Sequence, residues 1–221
     1  MSGALDVSGG APRAVVFDLD GVLVDSGAHH RDAWIAMCRD CGLTPPLEFW
    51  RLTIGRPAEE AVALLVEGVD GAEARRLAGV KRDHYARLAR RGIIAVAGVG
   101  AFVAALARER VPRAVATSAT RRDLERVLTA LGLRQHFDVV VTADDVRRGK
   151  PHPEVYLKAA GGLAVEPAAC VAFEDAIVGV HAARAAGMRV IGVTSAHSAD
   201  ELLGAGAERA VPHFEAVRWP V

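Results

Sequence analysis

The sequence predicts an α/β fold: a mostly parallel sheet covered on both faces, with an all-helical insert after its first strand. Three observations carry this. Through the second half of the chain, short apolar runs alternate with helical patterns of about ten residues. Most of those helical patterns close on a glycine. Between residues 26 and 94 the pattern is helical almost throughout, with no convincing strand.

The elements follow in order. The first strand covers 14–19; it is apolar up to Phe17 and then abruptly acidic. Periodic apolar positions mark helices over 33–41, 59–66 and 74–88. A second strand covers 114–117, and a helix over 121–131 stops at Gly132. The third strand is 138–142. A helix starts near Pro153, a first-turn proline, and stops at Gly161 and Gly162. The run 170–173 is the fourth strand, 176–186 a helix closed by Gly187, and 189–193 the fifth strand. The implied organisation is a flexible tail over 1–12, a core built from 13–26 and 97–221, and a helical unit over 27–96.

Composition narrows the function. The chain has 221 residues, 51% hydrophobic and 24% charged, the balance of a globular protein with a sizeable core. Lys+Arg and Asp+Glu are both 27, so no global positive field gathers nucleic acid or an anionic membrane. The only cysteines are Cys38, Cys41 and Cys170, which supply no disulfide framework and fit a reducing compartment. The N-terminus lacks the basic start and apolar core of a signal peptide. The longest apolar stretch, 92–107, is shorter than the ~20 residues a membrane helix needs. The expected location is the cytoplasm, with no nucleic-acid or membrane partner.

Chemistry-bearing residues fall at the ends of four consecutive segments: Asp18 and Asp20, Thr117 and Ser118, Lys150, and Glu174 and Asp175. In open α/β sheets, ligands bind outside the carboxyl ends of the strands, so these groups can share one small volume. Asp18 and Asp20 lie two apart and share a face if the strand continues, although Gly21 argues that the chain turns there. Carboxylates this close repel unless a cation sits between them. With Glu174 and Asp175 they make an oxygen-rich set suited to Mg²⁺. Thr117 and Ser118 offer hydroxyl and backbone donors, and Lys150 is a point charge suited to a phosphate oxygen. These are the parts needed to move a phosphoryl group.

The run FDLDGVLVDS at 17–26 resembles the first motif of the haloacid dehalogenase superfamily, in the branch with a helical cap inserted after the first strand. Asp18 and Thr117 are 99 residues apart. One βαβ unit takes ~30, which leaves ~70 for a cap. The resemblance implies a Rossmann-like core and assigns roles position by position. Asp18 would be the nucleophile forming an aspartyl-phosphate. Asp20 would protonate the leaving group and then activate water, its carbonyl facing the metal. Thr117, Ser118 and Lys150 would hold the phosphate. Asp18, Asp20, Glu174 and Asp175 would hold Mg²⁺. An acidic Asp20 favours phosphate esters over the dehalogenase and phosphonatase branches. Caps of this class often leave the protein monomeric, and a monomer is expected.

Within the branch, the chain is similar to sugar-phosphate phosphatases and to beta-phosphoglucomutase. His30 and Trp34 match the mutase hinge, but its Gly-x-Ser-Arg loop for a second phosphate reads Gly55-Arg56-Pro57-Ala58 here. The favoured reading is a Mg²⁺-dependent phosphatase of a small sugar or polyol phosphate, with His30 and Arg56 as cap-side substrate contacts. A phosphomutase, or a non-catalytic protein on the same fold, is the alternative. Cys38 and Cys41 sit at the wrong end of a helix for a redox pair. Of the three lysines, Lys81 reads as a surface residue of a cap helix, and His152 as a structural loop residue. Gly27, Gly92 and Gly98 read as hinge positions in two linkers, 25–28 and 91–99.

Overall fold

A computed structural model describes residues 11–47 and 49–221. The expected tail over 1–12 therefore lies almost wholly outside the described residues. Six strands form one parallel sheet: β1 (Ala14–Phe17), β2 (Arg113–Ala116), β3 (Val139–Val141), β4 (Cys170–Glu174), β5 (Arg189–Val193) and β6 (Arg209–Val211). Their spatial order is β3-β2-β1-β4-β5-β6. The chain builds outward from β1 through β2 to β3, then crosses back and continues from β4 on the other side. The reversal between β1 and β4 opens a crevice at their carboxyl ends.

Both faces of the sheet are buried, which is why the strands read as continuous apolar runs rather than alternating ones. Val15 and Phe17 point into one core with Phe102, Phe137, Phe173 and Phe214. Phe17 stacks on Phe173 at 5.4 Å between ring centroids. Ala14 and Val16 point the other way, into a core of small residues that also contains Tyr156. The pairing of Phe17 with Phe173 fixes the register, so Asp18 emerges beside Glu174. Two backbone bonds carry the alignment past the strand ends: Asp18 N–H donates to Phe173 O and Thr117 N–H to Val141 O, both at 3.0 Å.

Five helices pack around the sheet: α5 (Val99–Arg108), α6 (Arg121–Ala130), α7 (Glu154–Leu163), α8 (Ile177–Ala185) and α9 (Ala199–Gly204). Four others lie between β1 and α5: α1 (Gly27–Asp40), α2 (Phe49–Thr53), α3 (Ala58–Leu65) and α4 (Gly71–Ala89). These four have their own core, built on Trp34, Met37, Phe49, Val62 and Leu77. Asp70 caps α4 by accepting from the amides of Ala72 and Glu73, both at 2.8 Å. Cys38 packs in that core and Cys41 is half-buried; all three cysteines are free.

The two connections to this helical unit run side by side. Asp25 N–H donates to Ile94 O at 2.8 Å, and Val96 N–H to Leu23 O at 3.2 Å. Gly27, read as a hinge from the sequence, is the first residue of α1. That helix starts six residues before the sequence pattern does, because its first turn carries polar side chains and no apolar stripe. Strand β6 adds to the five strands the sequence predicts; at three residues on the sheet edge, it has too little apolar pattern to be seen there. No helix among the described residues is long and apolar enough to cross a membrane.

Candidate active site

The chain leaves strand geometry straight after β1. Gly21 adopts φ +74, and its N–H donates to Val24 O at 2.7 Å. The left-handed conformation suits glycine, and so does the space: a Cβ here would lie 1.8 Å from Asp175 Oδ2. This tight turn follows directly on Asp20. Asp18 is buried at the end of β1, whereas the Asp20 side chain stays 30% exposed and turns toward the helical unit.

Lys150 organises the buried half of the site. Its ammonium donates to Asp18 Oδ1 at 2.9 Å and to Glu174 Oε1 at 2.5 Å. Tyr156 Oη donates to the same Glu174 oxygen at 2.7 Å. The amides of Asp175 and Ala176 donate to Glu174 Oε2 at 2.9 and 3.0 Å. Glu174 is thus held on four sides. Helix α8 presses against it, since a Cβ at Gly179 would fall 1.8 Å from Glu174 Oε1. The period-2 pattern of β4 explains the placement: Glu174 shares its face with Cys170 and Ala172, the face that α7 and α8 cover.

One carboxylate oxygen from each of Asp18, Glu174 and Asp175 lies within 4.8 Å of the others, and all three side chains are buried. Among the described residues, Lys150 is the cation paired with them there. Burial, reinforced by Glu174 and Asp20 and opposed by Lys150, pushes the Asp18 carboxyl up to about 7. Burial and then the charges of Glu174 and Asp18 push Asp175 well above the usual carboxylate range. For Lys150, burial is outweighed by Asp18 and Glu174, and its pKa rises. A buried, all-oxygen set with too little positive charge fits a hard divalent cation. Both oxygens of Glu174 are already engaged, whereas Asp18 Oδ1 accepts from Lys150 and Asp175 Oδ2 from Ser195.

Asp20 sits in a second network. Ser26 Oγ donates to Asp20 Oδ1 at 2.7 Å, and His30 Nε2 lies 3.0 Å from the same oxygen. Lys81 Nζ lies 2.6 Å from His30 Nδ1. An ammonium can only donate, so His30 is neutral, with its proton on Nε2 and pointed at Asp20. Tyr85 stacks on the His30 ring at 4.3 Å between centroids. Burial raises the Asp20 carboxyl, but His30, Ser26 and Lys81 outweigh it and hold the group at about 2. Burial, with Lys81 adding to it, lowers the pKa of His30. Burial brings Lys81 down to about 8 against the pull of Asp20 and Asp123.

Lys81 corrects the sequence reading. It is 6% exposed, lies inside the network, and faces the rings of Trp34 and Tyr85 at 5.3 Å each. Its spacing carried a signal, because positions 74, 77, 78, 81 and 85 form one helical stripe and the other four are apolar. Ser26, Tyr156, Gly179 and Ser195 carry no comparable signal in the sequence. Their contacts are made across the fold and leave no local pattern.

The two networks meet at a cavity of about 770 Å³ between the sheet ends and the helical unit. Asp18, Asp20, Thr117, Ser118, His30 and Arg56 all line it. Lys150 and Glu174 lie behind Asp18 rather than on the wall. Thr117 is buried, and its Oγ1 accepts from Ala119 N–H at 3.0 Å. Ser118 Oγ donates to Gly55 O at 2.8 Å, across the seam between core and helical unit. Arg56 Nε donates to Leu52 O at 3.1 Å. His152 Nδ1 accepts from Glu154 N–H at the start of α7, a structural role as expected.

Residues 15–193 match the family model described as haloacid dehalogenase-like hydrolase. The validoxylamine A 7'-phosphate phosphatase of Streptomyces hygroscopicus subsp. limoneus is 38% identical over 94% of this chain and 97% of its own length. The beta-phosphoglucomutase of Bacillus subtilis is 30% identical, covering 82% of this chain and 83% of its own. The crystal structure of beta-phosphoglucomutase from Clostridium difficile superposes with a TM-score of 0.84 over 94% of each chain; at 24% identity it shows the fold. This chain belongs to the haloacid dehalogenase-like hydrolase family. It is an enzyme of the phosphoric monoester hydrolase class.

Proposed function

We propose that the chain hydrolyses the phosphate ester of a small sugar or polyol, with Mg²⁺ bound and through an aspartyl-phosphate on Asp18. The observation that carries the reading is the arrangement of the two aspartates. Asp18 is buried at the cavity floor against Lys150, and Asp20 is held at its side by Ser26 and His30. One carboxylate is fixed to attack and the other is aimed at what leaves or enters.

In the first half-reaction an Asp18 oxygen forms a bond to phosphorus while the bond from phosphorus to the ester oxygen breaks. Asp20, ionised in the free enzyme, takes up a proton as the negative charge of the bound phosphoester raises its pKa, and passes that proton to the departing oxygen. In the second, Asp20, now a carboxylate, takes a proton from water. The water oxygen bonds to phosphorus, the Asp18–phosphoryl bond breaks, and inorganic phosphate leaves. Thr117, Ser118 and Lys150 stabilise the phosphoryl group, Lys150 from behind Asp18. The proposed cation set is Asp18, the Asp20 carbonyl, Asp175 and Glu174, the last acting through Lys150 and the loop amides it holds. When bound, Mg²⁺ supplies charge neutralisation for the phosphoryl oxygens.

The helical unit over 27–96 serves as the cap on a core of 13–26 and 97–221, and His30 and Arg56 are its substrate-side contacts. The cavity has room for a substrate larger than its phosphate alone, in line with the validoxylamine A 7'-phosphate named for the Streptomyces relative. Ala58 stands where the mutase loop has its arginine, which favours hydrolysis over a second phosphate grip. The same reading has a monomer acting on a diffusible metabolite in the cytoplasm.

The test is phosphate release from sugar, polyol, cyclitol, nucleotide and carboxylic-acid phosphates, with Mg²⁺ and with EDTA. Mg²⁺-dependent release from a narrow set of sugar or polyol phosphates is expected. No release from any of them by folded protein, or formation and turnover of a bisphosphorylated sugar instead, contradicts the proposal.

A further inference from the structure

We propose that the loop following β5 positions the Asp175 carboxylate, with Ser195 holding its side chain and His197 its main chain. This rests on the reading of Asp175 as a cation ligand. Ser195 Oγ lies 2.7 Å from Gly21 O and 3.0 Å from Asp175 Oδ2, so one hydroxyl proton serves two acceptors. Gly21 opens the turn that follows Asp18 and Asp20, and Asp175 follows β4. One serine from a third segment therefore joins the two halves of the carboxylate cluster.

His197 completes the hold from the other side. Its Nδ1 lies 2.9 Å from Asp175 O. A carbonyl only accepts, so Nδ1 carries the proton, and the ring is 8% exposed. The Asp175 amide is committed to Glu174 Oε2 at 2.9 Å. The backbone of Asp175 is thus tied at both its N–H and its C=O, which leaves rotation of the carboxylate as its main freedom. Ser195 removes that freedom. Partners that orient a ligating carboxylate in this way are worth about 10–100-fold in metal affinity or activity.

Ser195 also lines the cavity, so a direct substrate contact is the competing role. Calorimetric titration of Mg²⁺ into the full chain separates the two. Wild type, Ser195→Ala and Ser195→Thr would be compared, with thermal unfolding of each measured in EDTA. Ser195→Ala is expected to weaken Mg²⁺ binding about 10–100-fold with little change in the cation-free midpoint, and Ser195→Thr to restore most of the affinity. In turnover, the KM for Mg²⁺ should rise in Ser195→Ala far more than kcat falls at saturating Mg²⁺.

Wild-type Mg²⁺ affinity in Ser195→Ala overturns the proposal; if the KM for the phosphoester rises instead, the hydroxyl belongs to the substrate. A drop in the cation-free midpoint as large as a core substitution gives assigns Ser195 to the fold and also overturns it. No Mg²⁺ uptake by wild type is a different failure, that of the cation site itself.

Discussion

Lys150 Nζ lies 2.9 Å from Asp18 Oδ1 and 2.5 Å from Glu174 Oε1, so one buried ammonium ties the end of β1 to the end of β4. The three side chains are 5% exposed or less. Removing one member of such a group leaves uncompensated charge away from water. Lys150→Met should therefore lower stability by about 3–5 kcal/mol in urea titrations without added cation, and should also impair turnover. A loss below about 1 kcal/mol would mean that the carboxylates find another way to be neutralised.

Tyr156 makes a smaller contribution to the same junction. Tyr156→Phe removes one of the two donors to Glu174 Oε1 and leaves the other. The expected cost is about 1–3 kcal/mol, read by the same titration. An effect equal to that of Lys150→Met would contradict the ranking.

Gly179 gives two opposed expectations. In a helix interior, Gly→Ala ordinarily stabilises by ~1 kcal/mol. Here the added methyl would meet Glu174 Oε1 at 1.8 Å, and Glu174 is held on four sides. Steric conflict should win, and Gly179→Ala should lose about 1–3 kcal/mol together with much of its activity. A higher melting temperature with full activity would show that α8 shifts freely.

The parts of the site that follow from strand ends were legible in the sequence. Asp18, Thr117 and Glu174 each sit within a residue of a strand's carboxyl end, and parallel register brings such ends together. The parts made by helix packing were harder to read. Lys81 lies on the apolar stripe of α4, yet a lysine in that place is ordinarily solvated. Its burial makes sense only once His30 and Tyr85 are beside it. Gly179 and Ser195 carry no periodic signal, because their roles depend on segments far away in sequence.

The Lys81–His30–Asp20 network predicts a pH dependence. Lys81 titrates near 8, charged below and neutral above. As an ammonium it donates to His30 Nδ1, which keeps the Nε2 proton on Asp20. As pH rises through about 8, the positive charge behind that donation is lost and Asp20 is held less firmly, so kcat/KM should fall on the alkaline side. Lys81→Met should be slower at pH 7 and should lack this limb. An unchanged alkaline limb in Lys81→Met would assign it to another group.

In the proposed reaction Asp18 carries the phosphoryl group. The most direct measurement is rapid acid quench of enzyme with Mg²⁺ and a turned-over phosphoester, followed by peptide mass spectrometry, on wild type and Asp18→Asn. A phosphoryl group is expected on the peptide containing Asp18 in wild type and none in Asp18→Asn, with turnover reduced by about 10⁴-fold or more in the variant. Phosphate release by Asp18→Asn at a wild-type rate would contradict the proposed reaction.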